Sequence, residues 1–160
     1  MDINDEIIIR FWRTLIQCNV RFIMIGGFAV NLYGFSRATD DIDVWVEDTT
    51  SNRENLASAL HLLKIAPPEI IKRMQFIPGW SQMQLPGGFP LDIMTEVKGI
   101  EEIPFEVCFS MATFAEIEEL KVPFLHINQL IKAKEATNWE KDKIDLAELK
   151  KIKCFIENSN

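Results

Sequence analysis

Cysteine is scarce in these 160 residues: Cys18, Cys108 and Cys154 are odd in number and far apart, which excludes a disulfide scaffold. There is no CxxC, and the two histidines, His61 and His126, have no partner nearby in sequence, so zinc-site spacings are absent. No apolar run approaches the ~18 residues of a membrane span. The start, Met1-Asp2-Ile3-Asn4-Asp5-Glu6, is acidic where a secretory leader would be basic. A cytoplasmic chain with no membrane association is the expectation. GxGxxG, the Walker lysine motif, HExxH and GxSxG are all missing, which removes the usual dehydrogenase, P-loop, zinc-protease and serine-hydrolase signatures. No internal repeat or linker-like run breaks the chain either. One domain over residues 1–160 is expected, with a core over about 20–127 and closing helices over about 128–157.

Basic charge is also short overall. The net charge is −7, and such a chain does not coat nucleic acid or anionic membrane nonspecifically, because that needs clustered Lys and Arg. The deficit is uneven. Seven lysines face six acids after residue 130, so that stretch is +1 and residues 1–130 carry −8.

What is present reads as α+β, a small mixed β-sheet with flanking helices. Ile8, Phe11, Trp12, Leu15 and Cys18 recur at helical steps from Asp5 to Cys18. Arg21–Ile25 suits a buried strand, and Phe28–Tyr33 a short helix stopped by Gly34. Asp41–Val46 alternates as a strand. Ser51 or Asn52 is placed to cap a third helix, ended by Pro67-Pro68. Strands are expected over Lys72–Ile77, Trp80–Leu85 and Phe89–Thr95, with turns at Pro78-Gly79 and Pro86-Gly87-Gly88. Ala112–Ile117 and Val122–Ile127 are weaker strand patterns. Asn128–Thr137 and Asp142–Glu157 read as helices.

The informative stretch is Gly26-Gly27 followed by Arg37-Ala38-Thr39-Asp40-Asp41-Ile42-Asp43-Val44. On a strand, residues two apart share a face, so Asp41 and Asp43 project together while Ile42 and Val44 enter the core. Paired carboxylates at that spacing suit Mg²⁺ or Mn²⁺, and two such ions can share them. Trp45 falls on the same face and is expected to border or cover the site. A strand running into Gly-Gly and then a helix is a place for phosphate, because glycine lets the ligand reach backbone N–H groups. Together these elements are the apparatus of phosphoryl or nucleotidyl transfer.

These residues resemble the signature of the nucleotidyltransferase superfamily with the polymerase-β-like fold. Gly34, Arg37, Thr39, Asp41 and Asp43 are similar to the pattern of its small bacterial members, the abortive-infection toxin type, the minimal nucleotidyltransferases and short antibiotic-modifying enzymes among them. The resemblance implies that fold with a helical C-terminal segment. It implies that Asp41 and Asp43 hold two divalent ions and that Gly26 and Gly27 seat the β- and γ-phosphates of a nucleoside triphosphate. Arg37 and Thr39 fall within the same nucleotide-binding pattern. The family's third carboxylate, which helps hold metal and can take the acceptor's proton, best matches Asp92 in Phe89-Pro90-Leu91-Asp92-Ile93, ahead of Glu96, which lies just past the apolar run.

The tail fits as well. Leu130-Ile131-Lys132-Ala133-Lys134 and Trp139-Glu140-Lys141-Asp142-Lys143-Ile144-Asp145 match the closing segment of small members. Lys134 and Lys141 are therefore the candidates to reach the triphosphate, with Asp142 and Asp145, on one helix face, orienting them. The sequence departs from the pattern in carrying Asn138-Trp139 where an Arg is common; Trp139 is expected to pack between helices, with stacking on a base as the alternative. The implied activity is metal-dependent transfer of a nucleoside monophosphate from a triphosphate to a hydroxyl on a small molecule or protein. The alternative is a catalytically silent nucleotide-binding or toxin–antitoxin module of the same fold. A second copy of the chain or a small helical partner protein is expected to help grasp the acceptor, and long nucleic acid is the least suited acceptor.

Overall fold

The structure, a computed structural model, describes residues 2–65, 67, 69 and 80–159. Helix α1 (Glu6–Gln17) is capped by Asp5, whose side chain accepts from the Ile7 N–H, and it buries Ile8, Phe11, Trp12 and Leu15. Then follow β1 (Phe22–Ile25), α2 (Gly26–Leu32), β2 (Ile42–Val46), α3 (Thr50–Leu62), β3 (Trp80–Gln84) and β4 (Pro90–Met94). The chain closes with α4 (Phe105–Met111), β5 (Thr113–Ile117), β6 (Leu120–Phe124), α5 (Ile127–Thr137) and α6 (Glu140–Asn158).

The strands form one mixed sheet in the order β3-β4-β2-β1-β6-β5. Strand β1 is antiparallel to β2, β2 is parallel to β4, and β1 is parallel to β6. The hairpin-type pairs β3–β4 and β5–β6 flank this centre. All four residues of β1 are buried, as befits a central strand covered on both faces.

Register assigns each side chain to a face, because directly opposed residues point the same way. Phe22, Met24, Val44 and Val46 share one face. Trp12 of α1 stacks on Phe22 there, with ring centroids 5.5 Å apart, so α1 covers that side. Ile25, Asp43 and Asp92 share the other. The split expected along β2 therefore holds: Ile42 and Val44 are fully buried on one side and the carboxylates emerge on the other.

Several boundaries differ from expectation. Helix α2 starts at Gly26, two residues earlier than the apolar pattern shows. The cap of α3 is Thr49, whose side chain accepts from the Asn52 N–H. Asn52 cannot serve because its amide is already engaged with the Arg21 backbone N–H and carbonyl and the Glu47 carbonyl. It thereby ties α3 to β1 and β2. His126, read as strand, is the N-cap of α5, its Nδ1 accepting from Asn128 N–H at 3.2 Å. Helix α4 follows no pattern noted in the sequence. The strand expected over Lys72–Ile77, Pro68 and the Pro78-Gly79 turn lie outside the described residues.

Candidate active site

Strand β1 delivers Gly26 to the sheet's end, and β2, returning antiparallel, places Asp43 opposite Ile25. Gly26 has φ +69°, and a Cβ built on it would fall onto the Asp43 carboxylate. The glycine is thus required twice, for its backbone conformation and for the space that Asp43 occupies. Gly26→Ala should displace Asp43, lowering stability by about 1–3 kcal/mol. A thermal melt with and without Mg²⁺ checks this, since the variant should also lose any metal-induced rise in Tm.

The parallel pairing of β2 with β4 sets Asp92 directly beside Asp43. Asp41, just before β2, completes a group in which one carboxylate oxygen from each residue lies within 4.8 Å of the others. Burial pushes the Asp43 carboxyl up to about 7, and Asp41 and Asp92 push in the same direction, while Lys134 and Lys141 pull it down. Three carboxylates held this close repel strongly, and an all-oxygen set suits a hard divalent cation that removes the repulsion. The residues fit Mg²⁺ or Mn²⁺ on those grounds.

A cleft of about 450 Å³ opens over the three carboxylates. Gly26, Lys134 and Lys141 line it too, as do Glu96 and Trp139 and two residues that the sequence patterns do not mark as ligands, Lys98 and Thr137. The one local signal for Lys98 is its place, a basic residue before Gly99 shortly after the third acid. Gly99 has φ +95°, and its missing Cβ would stand 2.6 Å from the Lys132 carbonyl oxygen, so the loop after β4 lies flat against α5 and carries Lys98 to the cleft.

Gly27, Arg37 and Thr39 stand behind the cleft rather than on its wall. A Cβ on Gly27 would meet Thr39 Oγ1 at 2.5 Å, so these two residues pack directly together. Thr39 is buried, its Oγ1 lying 3.3 Å from the Asp41 carbonyl oxygen. Asn31 of α2 clamps the Arg37 backbone at both N–H and carbonyl. The Arg37 guanidinium makes a two-pronged ion pair with Asp145 of α6, at 2.6 and 2.7 Å. Asp145 is completely buried and also meets Lys134 Nζ at 3.0 Å. Lys134 in turn bonds Asp142 at 2.8 Å. Burial raises the Asp142 carboxyl, but its hydrogen bonds and charge contact with Lys134, Thr137 and Trp139 together outweigh that and leave it below the usual carboxylate range. Two cations and two carboxylates thus form a charge-balanced network pinning α6 to α5 and to the loop before β2.

The orienting role expected of Asp142 and Asp145 falls on Lys134 and on Arg37, whereas Lys141 is exposed on the cleft wall. Trp45 corrects an expectation. It is 3% exposed, donates from Nε1 to the Thr95 carbonyl and packs edge-on against Phe105, so it lies in the interior and does not line the cleft. It does share the face of Asp43, but α4 and the chain after β4 cover it. Trp139 corrects another: it is 67% exposed, not packed between helices.

No protein-family model matches the chain, and no curated protein matches it in sequence. Solved structures do match in architecture. The lincosamide antibiotic adenylyltransferase LnuA, with lincomycin bound, has a TM-score of 0.64 at 16% identity, over 92% of this chain and 97% of that one. ANT(2'')-Ia in complex with adenylyl-2''-tobramycin has a TM-score of 0.58 at 16% identity, over 92% of this chain and 91% of that one. A Thermotoga maritima protein proposed to be a nucleotidyltransferase has a TM-score of 0.55 at 13% identity, over 96% and 92%. At such identities the likeness is one of architecture, and the chain has the nucleotidyltransferase fold.

Proposed function

We propose that this chain is a metal-dependent nucleotidyltransferase that moves a nucleoside monophosphate from a nucleoside triphosphate to an acceptor hydroxyl. The observation that carries the reading is the convergence of Asp41, Asp43 and Asp92 on one cleft, against a glycine turn, in a fold that adenylyltransferases share. Fold alone does not assign chemistry, and the carboxylate group supplies the part that fold cannot.

Asp41, Asp43 and Asp92 would hold one or two Mg²⁺ or Mn²⁺ ions. When bound, such ions neutralise phosphate charge and acidify the attacking hydroxyl. The chain's own residues do the rest. Gly26, on the cleft wall, gives the phosphates access to backbone N–H groups, while Gly27 packs behind it on Thr39. Asp92 accepts the acceptor's proton as its oxygen attacks the α-phosphorus, and the bond from that phosphorus to the β-phosphate oxygen breaks. Lys134, Lys98 and Lys141 face the departing pyrophosphate. Lys134 does so from a fixed position, since Asp142 and Asp145 hold it; Lys98 and Lys141 are exposed.

A small hydroxylated molecule is the favoured acceptor. The neighbour with lincomycin bound is matched over 97% of its own chain, so a domain of this extent accommodates such a ligand. The test is transfer of label from α-labelled triphosphates with Mg²⁺ to each of a panel of hydroxylated small molecules, with pyrophosphate release measured alongside and transfer to protein as a parallel arm. Asp41→Ala should cut transfer by about 100-fold or more, as loss of a metal-holding or charge-stabilising group does. Transfer at the wild-type rate in Asp41→Ala would defeat the proposal. Triphosphate binding without turnover across the panel would favour a silent module.

A further inference from the structure

We propose that Trp139 is the platform on which the base of the nucleotide stacks, a role that rests on the nucleotidyl-transfer reading and deepens it. A tryptophan with 67% of its surface exposed forgoes most of the burial that ordinarily retains this residue, so its position calls for a ligand or partner. Here the ring lines the same cleft as the three carboxylates. Trp12 and Trp45, by contrast, are buried at 0% and 3% exposure.

The backbone that carries the ring lies at the junction of two helices. Asn138, with φ +53°, ends α5, and Trp139 starts α6 in an extended conformation. The Trp139 N–H points at Asp142 Oδ2, 3.4 Å away, and the other oxygen of that carboxylate accepts from Lys134. One carboxylate therefore couples the aromatic ring's backbone to the lysine that faces the triphosphate. The two features sit on one connection, Lys134 before Trp139 and Lys141 after it, and all three line the cleft.

A nucleoside triphosphate offers charge and a planar ring at opposite ends, which this pairing of lysines and indole matches. Much of the remaining wall is apolar, from Met94, Val97, Leu130 and Ala133, as a base requires. An aromatic face tolerates every base, so Trp139 supplies affinity more than discrimination among ATP, GTP, CTP and UTP.

Calorimetry with Mg²⁺, each of the four triphosphates and inorganic tripolyphosphate tests this directly. Wild type should bind the triphosphates more tightly than tripolyphosphate. W139A should weaken every triphosphate about tenfold or more while leaving tripolyphosphate unchanged, and W139F should restore most of the loss. Because the ring is exposed, W139A should keep the wild-type Tm, so the comparison is made on folded protein. W139A that binds triphosphates as tightly as wild type overturns the assignment, and a raised KM for the acceptor alone would place the ring beneath the acceptor instead. Equal loss of tripolyphosphate also overturns it, as a general disturbance of the cleft. A wild type that binds neither ligand fails the nucleotidyl-transfer reading itself, and this inference with it.

Discussion

Asp43→Asn should make the metal-free protein more stable at pH 8 while ending Mg²⁺-dependent transfer. The Asp43 carboxyl is raised from 3.8 to about 7, by burial first and then by Asp41 and Asp92. Between about pH 4 and 7 the folded chain thus keeps a proton here that the unfolded chain has released. Stability from this group accordingly falls as pH rises across that window, and is level above it. Roughly three pH units at about 1.36 kcal/mol each set an upper bound of about 4 kcal/mol on the cost of ionising the cluster. An amide of the same shape has no such cost. The substituted side chain can fill the space against Gly26, but it brings no charge for a cation.

Thermal melts at pH 5 and pH 8, with and without Mg²⁺, separate these effects. Metal-free wild type should lose stability towards pH 8 and regain it with Mg²⁺, because a ligand that binds only the folded state raises Tm by mass action. The variant should show a smaller dependence on both. A variant less stable than wild type at pH 8 without metal would mean that neither burial nor the neighbouring carboxylates make ionised Asp43 costly in the folded chain.

Asp145→Leu is expected to cost about 3–5 kcal/mol, because it strands the Arg37 guanidinium and leaves Lys134 with one of its two partners. Against a total of about 5–15 kcal/mol this is a large share, and Tm should drop by roughly 6–20 °C. Arg37→Met alone leaves Asp145, which is fully buried, with only Lys134 and should also be costly. The double variant Arg37→Met/Asp145→Leu removes one charge of each sign and leaves Lys134 with Asp142. It should be more stable than either single variant, as replacing a buried pair by apolar residues often is. A double-mutant cycle by denaturant unfolding reads the coupling, and simple additivity of the two single losses would contradict the network. With Arg37 acting through α6, the double variant should also retain nucleotide binding.

Much of the candidate site was legible because its signals are local. The alternation of Asp41, Ile42, Asp43 and Val44 determines which side chains share a face, since period two is a property of the strand itself. Gly26 at the end of an apolar run marks a close approach, and the approach turned out to be Asp43. The resemblance in residues 22–46 then pointed to Asp92, whose own local pattern is an ordinary acid between apolar neighbours.

Environments that depend on distant neighbours leave no local signal. Periodicity puts Trp45 on the site face, yet Phe105 and the Thr95 carbonyl enclose it. Packing, the common fate of a tryptophan, is the first expectation for Trp139 and base stacking the second, and the turn at Asn138 leaves it exposed in the cleft. His126 falls in a strand pattern because its cap is a hydrogen bond, which apolar pattern does not encode.

The sequence alone determined the strand with its paired carboxylates, the glycine turn before it and the absence of rival catalytic motifs, because backbone sterics and side-chain period act over a few residues. Only the tertiary structure decided that Asp92 stands beside Asp43, because the parallel β2–β4 register is set by packing across the sheet. It also decided where the cations go. Arg37 turns to Asp145, Lys134 is held between Asp142 and Asp145, and Lys98 joins Lys141 on the cleft wall, since a charge takes the partner that burial brings to it.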